Sequence, residues 1–134
     1  MAYVSLDSDQ IKKAHKKHKY TKEQVLQLEQ CMDPKTGPLY FMKTFMKIQH
    51  PTKGEMPFKP FAYQERLIEA YNSHRFSISM LPRQTGKTTC ASGYLIWYAM
   101  FRPDSQILIA AHKYAGASDI MSRVRYAYEM LPSW

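Results

Sequence analysis

Arg83-Gln84-Thr85-Gly86-Lys87-Thr88-Thr89 is the stretch whose reading decides the fold. A β-like run, Phe76-Ser77-Ile78-Ser79-Met80-Leu81, precedes it, and an apolar, helix-like run over residues 90–101 follows. Strand, tight turn and helix in this order form the setting of a phosphate-binding loop. A helix N-terminus leaves its first N–H groups without intrahelical partners and carries the positive end of the helix dipole, so it favours an anion. Gly86 lets the backbone approach a phosphate with no Cβ in the way. Lys87 is placed to reach β and γ oxygens, and the Thr88 hydroxyl to ligate Mg²⁺. The pattern departs from G-x-x-x-x-G-K-[ST] at its start, because Leu81 stands where the first Gly would be. The plainer alternative is a strand-to-helix turn capped by Thr88 or Thr89. It leaves Lys87 and Arg83 unexplained at a helix entrance, where the dipole disfavours cations. A bound polyphosphate accounts for both.

Working outward, the later part of the chain has an α/β rhythm. A strand over 75–81, the loop, a helix over 87–101, a turn at Arg102-Pro103-Asp104-Ser105, a strand over 106–111 and a helix over 115–131 follow one another. Ile107-Leu108-Ile109-Ala110-Ala111 is a continuous apolar run of the kind expected in a buried parallel strand. The order predicts the right-handed β-α-β-α layout of a P-loop NTPase with a parallel sheet. In the last helix Ile120, Val124 and Leu131 form the apolar stripe. Upstream, residues 1–60 read as a basic, helical segment and residues 61–134 as the first part of an ATPase domain. Thr21 and Gln24 form a capping box opening a helix to about Met32, with Val25, Leu26, Leu28 and Met32 on its apolar side. A second helix is expected over 39–48, with Tyr40, Phe41, Phe45 and Ile48 at helical spacing, and a third over 62–71, with Leu67, Ile68 and Tyr71 inward. Residues 56–61 are irregular or a short strand, restricted by Pro57 and Pro60.

Composition narrows the partners without choosing among them. The 134 residues suit one domain or a large part of one, and 45% hydrophobic content supports a core. A net charge of +8 favours an anion, whether nucleotide, nucleic acid or lipid. The densest positive run is Ile11-Lys12-Lys13-Ala14-His15-Lys16-Lys17-His18-Lys19-Tyr20. It reads as a solvated face or frayed terminus, with a DNA-contacting arm as the alternative. Cys31 and Cys90 lie far apart with no zinc spacing, so a reducing setting is expected. The N-terminus lacks a signal-peptide layout, and no apolar stretch is long enough to span a bilayer.

A second constellation lies upstream of the loop. Gln64 offers a donor and an acceptor side by side, which matches the N6/N7 edge of adenine, and Tyr63 could stack on the ring. The alternative is an exposed helix-start Gln beside a core Tyr. Together, Phe61-Ala62-Tyr63-Gln64, the deviant loop, Ile107-Leu108-Ile109-Ala110-Ala111-His112-Lys113 and Met130-Leu131-Pro132-Ser133 resemble the large terminase subunit of contractile-tailed, myovirus-type phages. The resemblance runs from roughly Phe41 onward, and a loop of the form Arg-Gln-x-Gly-Lys-Thr-Thr without the first Gly is normal in that family.

The resemblance implies a RecA-like, ASCE-class sheet and a motor driven by ATP and Mg²⁺ that packages double-stranded DNA into proheads in the host cytoplasm. Portal and small terminase subunit are the implied partners, and a nuclease domain follows the ATPase. Tyr63 and Gln64 would hold adenine. Gln84, Thr85, Gly86, Lys87, Thr88 and Thr89 would cradle the phosphates, with Thr88 on the metal. Arg83 would act in cis on the γ-phosphate with the logic of an arginine finger, and Lys87 beside it. His112 and Lys113 would lie near the nucleotide and DNA-coupling region, or simply cap the next helix. Asp104, Asp119 and Glu129 are the acids after Thr88, and none ends an apolar strand run as a Walker B acid would. The chain is therefore expected to be an N-terminal piece, its sheet incomplete, that binds nucleotide without turning it over. A helicase-like translocase fragment and a non-enzymatic basic DNA-binding adaptor are the competing readings.

Overall fold

The computed structural model describes residues 19–50, 52 and 54–132. Five helices and one hairpin make up the described chain: α1 (Lys22–Met32), α2 (Gly37–Phe45), β1 (Lys47–His50), β2 (Gly54–Pro57), α3 (Ala62–Ser73), α4 (Lys87–Phe101) and α5 (Tyr114–Glu129). Most of the lysine run, and with it the DNA-arm reading, lies outside the described residues.

α4 is the central element. Cys90, Ser92, Gly93, Ile96 and Trp97 are all buried on it, and α2, α3 and α5 pack around it. Gly93 permits close approach of the chain before β1, since a Cβ there would meet Met42 Cε and Met46 Sδ at 2.5 Å. α1 opens with the expected capping box: the Gln24 N–H donates to Thr21 Oγ1 at 3.3 Å and the Thr21 N–H to Gln24 Oε1 at 2.8 Å. Its inward face differs from the expectation. Val25, Leu26 and Met32 are exposed, while Cys31 is buried with Gln24, Gln27 and Leu28 half-buried beside it. The Trp97 indole N–H donates to the Cys31 carbonyl at 2.7 Å, so α1 docks by its last turn. Burial pushes both thiols, Cys31 and Cys90, up to about 11.

The second helix ends early. Ile48 belongs to β1, which pairs antiparallel with β2 in the register Lys47↔Pro57, Ile48↔Met56, Gln49↔Glu55, His50↔Gly54. A Lys47–Glu55 ion pair at 2.5 Å closes one face of the hairpin. α3 runs two residues further than expected, α4 has the expected bounds, and α5 begins at Tyr114 and ends at Glu129.

The expected α/β class is overturned. Among the described residues the only sheet is this two-stranded antiparallel hairpin, and the architecture is mainly helical. Residues 75–81 and 106–111 carry no strand pairing. Phe76, Ile78, Met80 and Leu108 are 82%, 94%, 92% and 91% exposed. The physical reason is that strandedness belongs to a pair. Parallel strands are stable when neighbours complete the ladder and both faces are covered, and two candidate strands do not suffice. No described helix is long and apolar enough to cross a membrane.

Candidate functional site: the loop at the start of the central helix

The loop survives the loss of the sheet because its supports are helical. Arg83 and Gln84 form a turn, Gln84 has φ 63°, and Gly86 has φ 74° as the N-cap of α4. A left-handed conformation at Gly86 suits a residue without Cβ. A Cβ there would also come within 2.6 Å of Gln64 Nε2, so the glycine makes room for the helix behind it. Inside the loop the Thr85 hydroxyl donates to the Pro82 carbonyl at 3.0 Å. The Lys87 ammonium donates to the carbonyls of Pro82 at 3.1 Å and Leu81 at 3.5 Å, folding across the mouth of the turn. Thr88 and Thr89 are half-buried in the first turn of α4, and Arg83 is exposed on the rim.

α3 holds this loop from one side. Tyr63 OH and Gln64 Nε2 both donate to the Thr85 carbonyl, at 2.9 and 3.0 Å. Gln64 Oε1 accepts the Phe61 N–H at 2.9 Å, which fixes the amide's orientation. Gln64 is only 6% exposed. The two upstream residues and the loop, separated in sequence, are thus one assembly. An amide has two N–H groups and two lone pairs. One of each is engaged with backbone, leaving one of each. Phe61, quoted with Tyr63 and Gln64 but given no role of its own, stacks on Tyr63 with ring centroids 5.8 Å apart and planes 7° from parallel, and is itself largely exposed. Its signal in the sequence was an aromatic two residues before Tyr63, at the N-cap of α3.

Electrostatics around the loop are one-sided. Among the described residues neither Lys87 nor Arg83 forms an ion pair, whereas Lys43, Lys47 and Arg123 each do. Glu65, on the same helix as Gln64, is held by Lys43 at 2.6 Å. The acids after the loop go elsewhere: Asp104 lies in the turn after α4 with φ 54°, Asp119 pairs with Arg123 at 3.1 Å, and Glu129 ends α5. None forms a hydrogen bond or ion pair with the loop among the described residues. His112 and Lys113 are exposed, and Lys113 is the N-cap of α5, its carbonyl accepting the Gly116 N–H at 3.0 Å. Two cations without an ion pair among the described residues, a helix N-terminus with no side-chain cap and a glycine in place of a side chain fit a polyphosphate. Residues 78–133 match a family model described as terminase large subunit, T4likevirus-type, N-terminal, a span that begins in the run before the loop and takes in α4 and α5. Over that span the chain is similar to the N-terminal part of the T4likevirus-type terminase large subunits.

Proposed function

We propose that this chain is the nucleotide-binding front part of a packaging motor that couples ATP hydrolysis to the movement of double-stranded DNA into proheads, with portal and small terminase subunit as partners. The observation that carries the reading is two cations, Lys87 and Arg83, with no ion pair among the described residues, at the positive end of α4 on a loop tied to α3. Cations at that end of a helix raise the energy of the empty site and are offset by a bound anion. Lys87 exchanges two backbone carbonyls for phosphate oxygens. Arg83, exposed on the rim, meets the terminal phosphate. Tyr63 and Phe61 offer a stacking platform, and the remaining amide N–H and lone pair of Gln64 face the adenine edge. Thr88 would hold Mg²⁺ through its hydroxyl, and the ion would supply neutralisation of phosphate charge.

Thermal unfolding with Mg·ATP tests the reading. A ligand at a hundred times its Kd adds about 2.7 kcal/mol to stability. The expected result is a saturable rise in Tm that Lys87→Ala removes while leaving the unliganded Tm within a degree or two. No rise in the parent protein, or an equal rise in the variant, removes the phosphate-loop assignment. Phosphate release measured on the same samples should show no steady-state turnover, because Asp104, Asp119 and Glu129 are engaged or placed elsewhere. Turnover that Lys87→Ala abolishes would show that one of the chain's own acids activates water.

A further inference from the structure

Between β1, the first turns of α4 and the middle of α5 lies a second concavity, about 350 Å³, at the small end of ligand-site volumes. Lys47, Thr89, Ser92, Asp119, Ser122 and Arg123 are among its lining residues. Ser92 is the informative one. It is 1% exposed, and its hydroxyl has no hydrogen-bond partner among the described residues. A serine inside a helix ordinarily donates to the carbonyl one turn back. Ser73 does so to Glu69 at 2.7 Å and Ser122 to Ser118 at 2.9 Å in this same molecule. Ser92 does not, and a buried hydroxyl left unmade is unfavourable by about 1–3 kcal/mol.

Two cations border it, each already in an ion pair, Lys47 with Glu55 and Arg123 with Asp119. Arg123 uses only its Nε toward Asp119 Oδ2, so the terminal amino groups of its guanidinium fork have no partner among the described residues. Lys47 supplies the second cation, and among the described residues of the lining Asp119 is the only carboxylate. A planar guanidinium fork suits the paired oxygens of a phosphate. Hydroxyls at Ser92, Thr89 and Ser122, with the free Asp119 oxygen, suit the hydroxyl groups of a sugar.

We propose that this cavity is a second ligand site for a compact, hydroxylated phosphate monoester, a sugar phosphate or a nucleoside monophosphate, separate from the loop at the head of α4. The phosphate lies against Arg123 and Lys47, and a ligand hydroxyl completes the hydrogen bonding of Ser92. Thr89 adjoins both sites, so an occupant here touches the first turn of the helix that carries Lys87.

Titration calorimetry of the full chain with ribose 5-phosphate, AMP and inorganic phosphate tests this. Saturable binding is expected for ribose 5-phosphate, and for AMP if the base is accommodated, with inorganic phosphate at least tenfold weaker. Lys87→Ala should retain the binding, which separates this site from the loop. Arg123→Gln and Ser92→Ala should each weaken it about threefold to tenfold. Ser92→Ala should leave the unliganded Tm unchanged or higher, because it removes an unsatisfied hydroxyl. Four results overturn the proposal: no saturable binding of either ester, equal affinity for inorganic phosphate, loss in Lys87→Ala with none in Ser92→Ala, or a lower unliganded Tm in Ser92→Ala.

Discussion

Thr85 takes part in the loop through its backbone. Its carbonyl receives both Tyr63 OH and Gln64 Nε2, so a main-chain atom is the joint between α3 and the loop at the head of α4. Sequence reading singled out residues on both sides of the joint for the chemistry of their side chains, as nucleotide contacts and not as a joint. It could not find the joint, because every residue has a carbonyl and only the fold selects one. The double attachment makes a graded prediction. Tyr63→Phe removes one donor while Gln64 keeps the other, so Mg·ATP and Mg·GTP should both weaken by about one neutral hydrogen bond, roughly 0.5–1.5 kcal/mol. Gln64→Ala removes the second donor and also the acceptor of the Phe61 N–H. It should weaken both nucleotides more than Tyr63→Phe, with a further loss for ATP if the remaining amide edge meets adenine. Binding isotherms for the two nucleotides on each variant measure this. Equal losses for ATP and GTP in Gln64→Ala would make that residue a support of the loop alone.

At the scale of elements, helices were legible because their determinants are local. The Thr21–Gln24 box, the apolar run of α4 and the breaks around it are all written within a turn or two of the residues they control. The strands were not, because a strand is completed by a neighbour, and propensity cannot say whether one is there. Ile48 shows the same failure in reverse. Its spacing fitted a helix, but pairing with Met56 placed it in the hairpin. The facing of α1 was missed for a related reason, since Cys31 is inward through the indole of Trp97, distant in sequence. That bond has a testable consequence. Trp97→Phe keeps an aromatic ring in the core but strands the Cys31 carbonyl, at a loss of about 1–3 kcal/mol. As Cys31 is the one buried residue of α1, amide exchange should speed up across α1 well before α4. Uniform loss of protection in both helices would mean that α1 is held by something other than its last turn.

At the scale of the whole molecule, α4 collects the packing of the other helices while the two apolar runs beside it stay bare. Phe76, Ile78, Met80 and Leu108 are nearly as accessible as in an open chain, and no ladder of main-chain bonds restrains the backbone that bears them. Such stretches are what a peptidase needs. A cleavage cleft takes several consecutive residues in an unprotected conformation, and chymotrypsin favours large apolar side chains at the bond it cuts. Limited digestion with chymotrypsin should therefore nick first within 75–81, separating α1–α3 from α4–α5, or within 106–111, separating α1–α4 from α5. First cuts within α1 or the hairpin would show those runs to be shielded in solution. A nick at Phe76 or Met80 would also sever the chain between Gln64 and Lys87, so the halves of the loop assembly would be joined by hydrogen bonds and packing alone. Whether the two fragments stay together in gel filtration would then report how far that assembly depends on an unbroken thread.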